Sequence, residues 1–167
     1  LLMKDLRVEQ AAVRRSLPST LEIQVVERRP VATVDCDFGY VDLDREGTVI
    51  DAYKTLKKMA IPMVTGIKLK DIYIGDQTTD ENLKAALTYL YALQPETNSR
   101  ISEVSLKNPS DVMAYTTGGV QIRLGALDRL EEKAHLTDSF ILDQEIKQRP
   151  VEYVDFKYTA PFIKFKR

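Results

Sequence analysis

From Leu21 to Val25 apolar and polar side chains alternate, with Leu21, Ile23 and Val25 on one face and Glu22 and Gln24 on the other. A two-residue period marks a half-buried β-strand, so this stretch constrains its local structure more tightly than any other. Ahead of it, Leu17-Pro18-Ser19-Thr20 has the chemistry of a turn, because proline fixes φ and the hydroxyls bond nearby backbone. Val8 to Val13 then serves as the partner strand, and the two runs make a hairpin. Leu1 to Asp5 reads as the last turn of a helix entering it. Because two strands alone are marginal in water, we expect further sequence upstream of Leu1.

The rest of the chain must supply the core. Its 167 residues, 44% of them hydrophobic, suffice for one ordinary domain, or one domain plus a part of another. A net charge of −1 gives no strong field to draw in nucleic acid or an anionic membrane. With one cysteine, Cys36, and one histidine, His135, an internal disulfide and a metal site of several soft ligands are both excluded. No run of about 20 apolar residues is present, and the chain opens without the methionine and basic region of a signal peptide.

After Pro30, two apolar segments flank Asp44-Arg45-Glu46-Gly47, which predicts a second hairpin whose glycine takes positive φ. Asp51 to Ala60 stays open: Tyr53, Leu56 and Ala60 keep helical spacing, yet the segment also suits an irregular connection before Ile61-Pro62-Met63-Val64-Thr65-Gly66, read as a turn. Thr79-Asp80-Glu81 caps a helix carrying Leu83, Ala86, Leu87 and Leu90 on one face, and Pro95 stops it. Ile101–Leu106, Val112–Thr116 and Val120–Leu124 alternate as strands around Asn108-Pro109-Ser110-Asp111 and Thr117-Gly118-Gly119 turns. Leu127, Leu130 and Ala134 predict a second helix, with Glu131, Glu132 and Lys133 outward. The run from Val151 to Phe165 reads as a terminal strand, with Val154, Phe156 and Tyr158 on one face and Tyr153, Asp155 and Lys157 on the other. The fold class is therefore α+β: a predominantly antiparallel or mixed sheet with two helices packed on it.

Chemistry-bearing patterns are few. Asp42-x-Asp44-x-Glu46-Gly47 echoes a calcium loop, but Tyr53 stands where the bidentate glutamate belongs, so a charged turn is the better reading. Asp35 with Asp37, or Asp42 with Asp44, would be the carboxylate pair of a cell-wall glycosidase, although the chain has no tryptophan to offer as a sugar platform. Cys36 is read as a partly buried thiol, Lys68-Leu69-Lys70 as a solvated strand face, and no phosphate-binding glycine motif occurs. No catalytic residue, cofactor or metal is assigned. An aromatic terminal strand at a sheet edge is the strongest candidate site, because its unpaired backbone groups can accept a partner's strand. The alternative is that these aromatics are all core and the edge is inert.

Arg15, Leu17, Pro18, Thr20 and Leu21, followed by Glu27, Arg28, Pro30, Val31 and Ala32, resemble the junction between the POTRA and β domains of the FtsQ/DivIB family of bacterial division proteins. Three further stretches resemble it in order: Tyr40 to Val49, Ile61 to Gly66, and the end, where Tyr153, Asp155 and Tyr158 fit while Phe156 and Lys157 replace the family's leucine and arginine. The change to lysine keeps charge without the bidentate fork. The resemblance implies that residues 1–29 are the C-terminal part of a POTRA domain and residues 30–167 the β domain. It implies a non-catalytic extracytoplasmic scaffold, anchored in the cell membrane by a helix outside this sequence, that binds FtsB/DivIC-type and FtsL-type subunits at the septum. By position it points to Lys157, Tyr158, Phe162 and Tyr153 as partner-binding residues, Tyr153 doubling as a structural one. A POTRA protein of outer-membrane assembly or secretion, and a carboxylate-dependent wall hydrolase, are the rival readings.

Overall fold

Residues 8–56, 61–147 and 149–166 are described by the computed structural model, with the side chains of 145–147 excepted. The expected hairpin is β1 (Val8–Ser16) with β2 (Thr20–Glu27), paired antiparallel from Ser16↔Thr20 outward. The helical turn expected over residues 1–5 lies outside the described residues. After Pro30 come β3 (Ala32–Cys36), β4 (Gly39–Leu43), β5 (Val49–Tyr53) and β6 (Met63–Leu69). Then follow α1 (Glu81–Ala92), the single turn α2 (Pro95–Asn98), β7 (Ile101–Ser105), β8 (Val112–Thr116), β9 (Gln121–Gly125), α3 (Leu130–Lys147), β10 (Val151–Asp155) and β11 (Phe162–Phe165).

Strands β3 to β11 form a nine-stranded mixed sheet in the order β11-β10-β9-β8-β7-β6-β3-β4-β5. The pairs β3–β6, β6–β7 and β9–β10 are parallel and the other five antiparallel. Register lines up one apolar row across the whole sheet: Ala52, Val41, Val34, Val64, Val104, Ala114, Ile122, Val154 and Ile163. Its seven interior members are 0% exposed, and the two end members are partly buried. Helices α1 and α3 contribute to the same core through Leu83, Ala86, Leu87, Leu90, Ala134 and Phe140. Burying each of these larger side chains is worth about 1.5–3 kcal/mol, so this row and its helical cover dominate stability.

Local chemistry sets the elements. Asp80 accepts the Leu83 N–H at 2.8 Å and caps α1 as expected. The Tyr89 and Thr137 hydroxyls, 2.8 Å apart in the core, tie α1 to α3, and burial pushes the Tyr89 phenol up. Lys133 was expected outward but is 1% exposed. Its ammonium is satisfied by Ala126 O at 2.7 Å and Asp128 Oδ1 at 2.5 Å, and holds the Asp128 carboxyl below the usual range. A lysine is buried this way only when paired.

Two segments differ from expectation. Asp51 to Ala60, open between helix and irregular connection, begins instead as strand, because residues 51–53 complete β5 beside β4; residues 57–60 lie outside the described residues. Ile61 to Gly66 is not a turn: from Met63 it is the start of β6. Gly66, with φ of 81°, lets β6 bulge between its pairing with Val34 and with Asp35. A Cβ there would stand 2.3 Å from Lys107 N, so no other residue fits.

The hairpin β1–β2 meets the sheet at the β4–β5 turn. Asp44, buried, accepts the Glu46 and Thr48 N–H groups at 2.9 and 2.7 Å and pairs with Arg28 at the end of β2. Arg45 returns the exchange, reaching Glu9 of β1 at 2.9 Å and the Tyr91 hydroxyl of α1 at 3.2 Å. A 650 Å³ cavity lies in the crook, lined in part by Val25, Val26, Arg29 and Glu46.

Candidate partner-binding edge

The terminal run expected as one strand is two. β10 is inserted beside β9, and the chain turns over residues 156–161 to lay β11 antiparallel against β10's other side. The turn is built by Asp155, whose carboxylate accepts the Lys157 N–H at 2.9 Å, and by Arg129, which donates to Lys157 O at 3.1 Å. The edge that β10 was expected to expose is therefore covered by the chain itself, and β11 ends the sheet.

Lys166 donates its N–H inward to Pro150 O at 2.8 Å. By strand parity, Ile163 and Phe165 turn their N–H and C=O groups outward, and no described residue pairs with them. The sheet's other edge is largely covered. Val49 donates to Asp76 O and accepts from Gly75 N, both at 2.8 Å, so the loop before α1 covers the start of β5. Beyond it, the Asp51 carboxylate takes the Ala52 N–H at 2.8 Å.

The expected site residues divide at this edge. Tyr153 and Phe162 come together, ring centroids 6.1 Å apart. The Tyr153 ring also lies 3.6 Å from the Arg123 guanidinium and 5.6 Å from Lys164 Nζ. Lys157 lies in the β10–β11 connection, its ammonium 2.5 Å from Asp111 Oδ1. Tyr158 does not continue the Val154–Phe156 face: the turn at Asp155 breaks the alternation, and the side chain is 71% exposed. Ile163, Phe165 and Arg123 were missed by sequence reasoning, since a backbone direction at an edge carries no side-chain signature. The only available hint was the terminal Phe-Ile-Lys-Phe run.

The carboxylates weighed for hydrolysis serve the sheet. Asp42 accepts the Tyr53 hydroxyl at 2.6 Å and the Thr33 hydroxyl at 2.8 Å. Burial, reinforced by that Asp42 bond, pushes the Tyr53 phenol up to about 12. Asp44 holds its turn and Arg28. Cys36 is 2% exposed in the core on β3, deeper than expected, while His135 is exposed on α3. Among the described residues no three potential metal ligands cluster, and no helix is long and apolar enough to cross a membrane.

Comparison with known proteins agrees with the order of motifs. The family described as cell division protein FtsQ/DivIB, C-terminal, matches residues 32–157, and the FtsQ-type POTRA domain matches residues 1–28. Cell division protein FtsQ of Geotalea daltonii is 28% identical over 93% of this chain, and DivIB of Clostridium botulinum 24% identical over 90%. The chain spans 58% and 60% of those two proteins' lengths. FtsQ of Mycobacterium bovis is 34% identical over 77% of this chain and 38% of its own length. Among solved structures, the major extracytoplasmic domain of DivIB from Geobacillus stearothermophilus matches 74% of this chain and 96% of its own, with a TM-score of 0.48 and 13% identity. With its family match running through most of the sheet and both helices, the chain belongs to the FtsQ/DivIB family of bacterial cell division proteins.

Proposed function

We propose that this chain is a non-catalytic, extracytoplasmic scaffold of the divisome, and that it holds an FtsB/DivIC-type subunit, and with it an FtsL-type subunit, by accepting a strand on β11. The observation that carries this reading is the row of unpaired, outward N–H and C=O groups at Ile163 and Phe165, on a sheet whose other edge is largely covered. Main-chain bonds supply affinity in such an addition, and flanking side chains supply choice. Phe162 is exposed on β11 with Tyr153 supporting it, Tyr158 is exposed in the connection that precedes β11, and Lys157 fixes that connection through Asp111. Residues 1–29 act as the end of a POTRA domain and residues 30–167 as the β domain, in a protein anchored by one membrane helix and working at the septum. The role is to position partners that control peptidoglycan synthesis.

The test is binding of the chain to the extracytoplasmic segment of the FtsB/DivIC homologue from the same organism. A chain ending at Ala160 and the Tyr158→Ala variant are compared with wild type after circular dichroism has shown both to be folded. Loss of binding in the shortened chain supports the edge, and weakening in Tyr158→Ala places that ring in the contact. Undiminished binding by the shortened chain overturns the site.

A further inference from the structure

We infer that the open edge selects a strand of mixed character, acidic where it passes Arg149 and Lys166 and apolar where it passes Phe162. This rests on the reading of β11 as the partner edge. The whole chain carries a net charge of −1, so any basic character here is local. Residues 149–166 hold four cations, Arg149, Lys157, Lys164 and Lys166, against two carboxylates, Glu152 and Asp155. Both carboxylates are already engaged: Glu152 pairs with Lys164 at 3.0 Å, and Asp155 caps the Lys157 N–H. Lys157 is matched by Asp111. That leaves Arg149 and Lys166, both exposed, with no carboxylate partner among the described residues.

These two cations share one end of the edge, because Lys166 bonds to Pro150, the residue after Arg149. The Arg149 guanidinium stands 5.9 Å from the Phe165 ring, so it is aimed at the strand rather than away from it. The other end is aromatic, with Phe162 56% exposed over Tyr153. A strand added at Ile163 and Phe165 therefore meets positive potential at one end and apolar surface at the other. A second copy of this chain is the occupant that the arrangement rejects: antiparallel edge-to-edge pairing of β11 with itself would set lysine against lysine, Lys164 opposite its own copy or opposite Lys166.

The probe is the extracytoplasmic segment of the FtsB/DivIC homologue, titrated at low and at physiological salt. With Arg149→Glu and Lys166→Glu combined, affinity at low salt is expected to fall about tenfold or more and its salt dependence to flatten. Phe162→Ser is expected to weaken binding with the salt dependence unchanged. Lys68→Glu with Lys70→Glu, two exposed cations on β6 and just after it, serves as the control and leaves both quantities as in wild type. If the Arg149 and Lys166 reversal binds like wild type while the chain ending at Ala160 does not bind, the edge stands and its charge preference is overturned. If the chain ending at Ala160 binds fully, the reading of β11 fails, and this inference fails with it.

Discussion

At one end of the nine-stranded sheet, β5 is largely covered by a loop and by its own aspartate; at the other, β11 offers two residues' worth of backbone to solvent. Sheet edges are hazards, and proteins commonly cover or charge them. Here the protection is unequal within a single sheet. The β5 edge has main-chain bonds to Gly75 and Asp76 at Val49 and a carboxylate on the Ala52 N–H. The β11 edge keeps only flanking cations, which oppose self-pairing yet admit a partner of opposite charge. An edge left open while its counterpart is largely covered points to use.

The largest expected effect comes from deleting β11. A chain ending at Ala160 loses the outward groups of Ile163 and Phe165 and should bind the FtsB/DivIC-type segment about 100-fold more weakly, measured by calorimetry. Next is Gly47→Ala, which attacks the covered edge. Gly47 has φ of 80°, and an added Cβ would lie 2.5 Å from Thr78 Cγ2, in the loop that covers β5. We expect a loss of about 2 kcal/mol in denaturant unfolding and faster amide exchange at Val49, with partner binding of the folded protein unchanged.

Ile163→Pro is subtler. It removes an outward N–H without touching an inward ladder bond, and should weaken partner binding about tenfold in the same titration. The matching change at Ala52, on the other edge, should leave binding as it was. The smallest effect is spectroscopic. Because the Tyr53 phenol is pushed from an ordinary 10.0 to about 12, its contribution to stability is fully present below pH 10 and lost as pH rises through about 12. Ultraviolet titration should show the Tyr53 and Tyr89 phenols late, with Tyr53→Phe removing one of them; a Tyr53 phenol titrating at its ordinary value would contradict its burial and the Asp42 bond at the end of β5.

Much of this contrast was legible in the chain, and the rest was hidden for identifiable reasons. Period-two alternation gave the hairpin and β7 to β9, and Asp80 with its leucines gave α1, because each signal is local. β6 was hidden by Pro62 and Gly66, which look like turn residues until the bulge against β3 explains the glycine. Lys133 looked like a solvent-facing residue, since nothing near it in sequence announces that Ala126 O and Asp128 will satisfy its ammonium. At the candidate site, the sequence read the terminal segment as one strand, whereas the structure divides it into β10 and β11. Asp155 folds its carboxylate onto the backbone, the alternation stops, and four residues of β11 are too short to announce a strand of their own. The family match also ends at residue 157, before β11 begins.

Amide hydrogen exchange with and without the FtsB/DivIC-type segment tests the central claim most directly. Strand addition predicts that the Ile163 and Phe165 amides, open in the free chain, become strongly protected in the complex, while the Ala52 amide keeps the protection it already has. Protection that appears elsewhere, with Ile163 and Phe165 exchanging as fast as before, would contradict it.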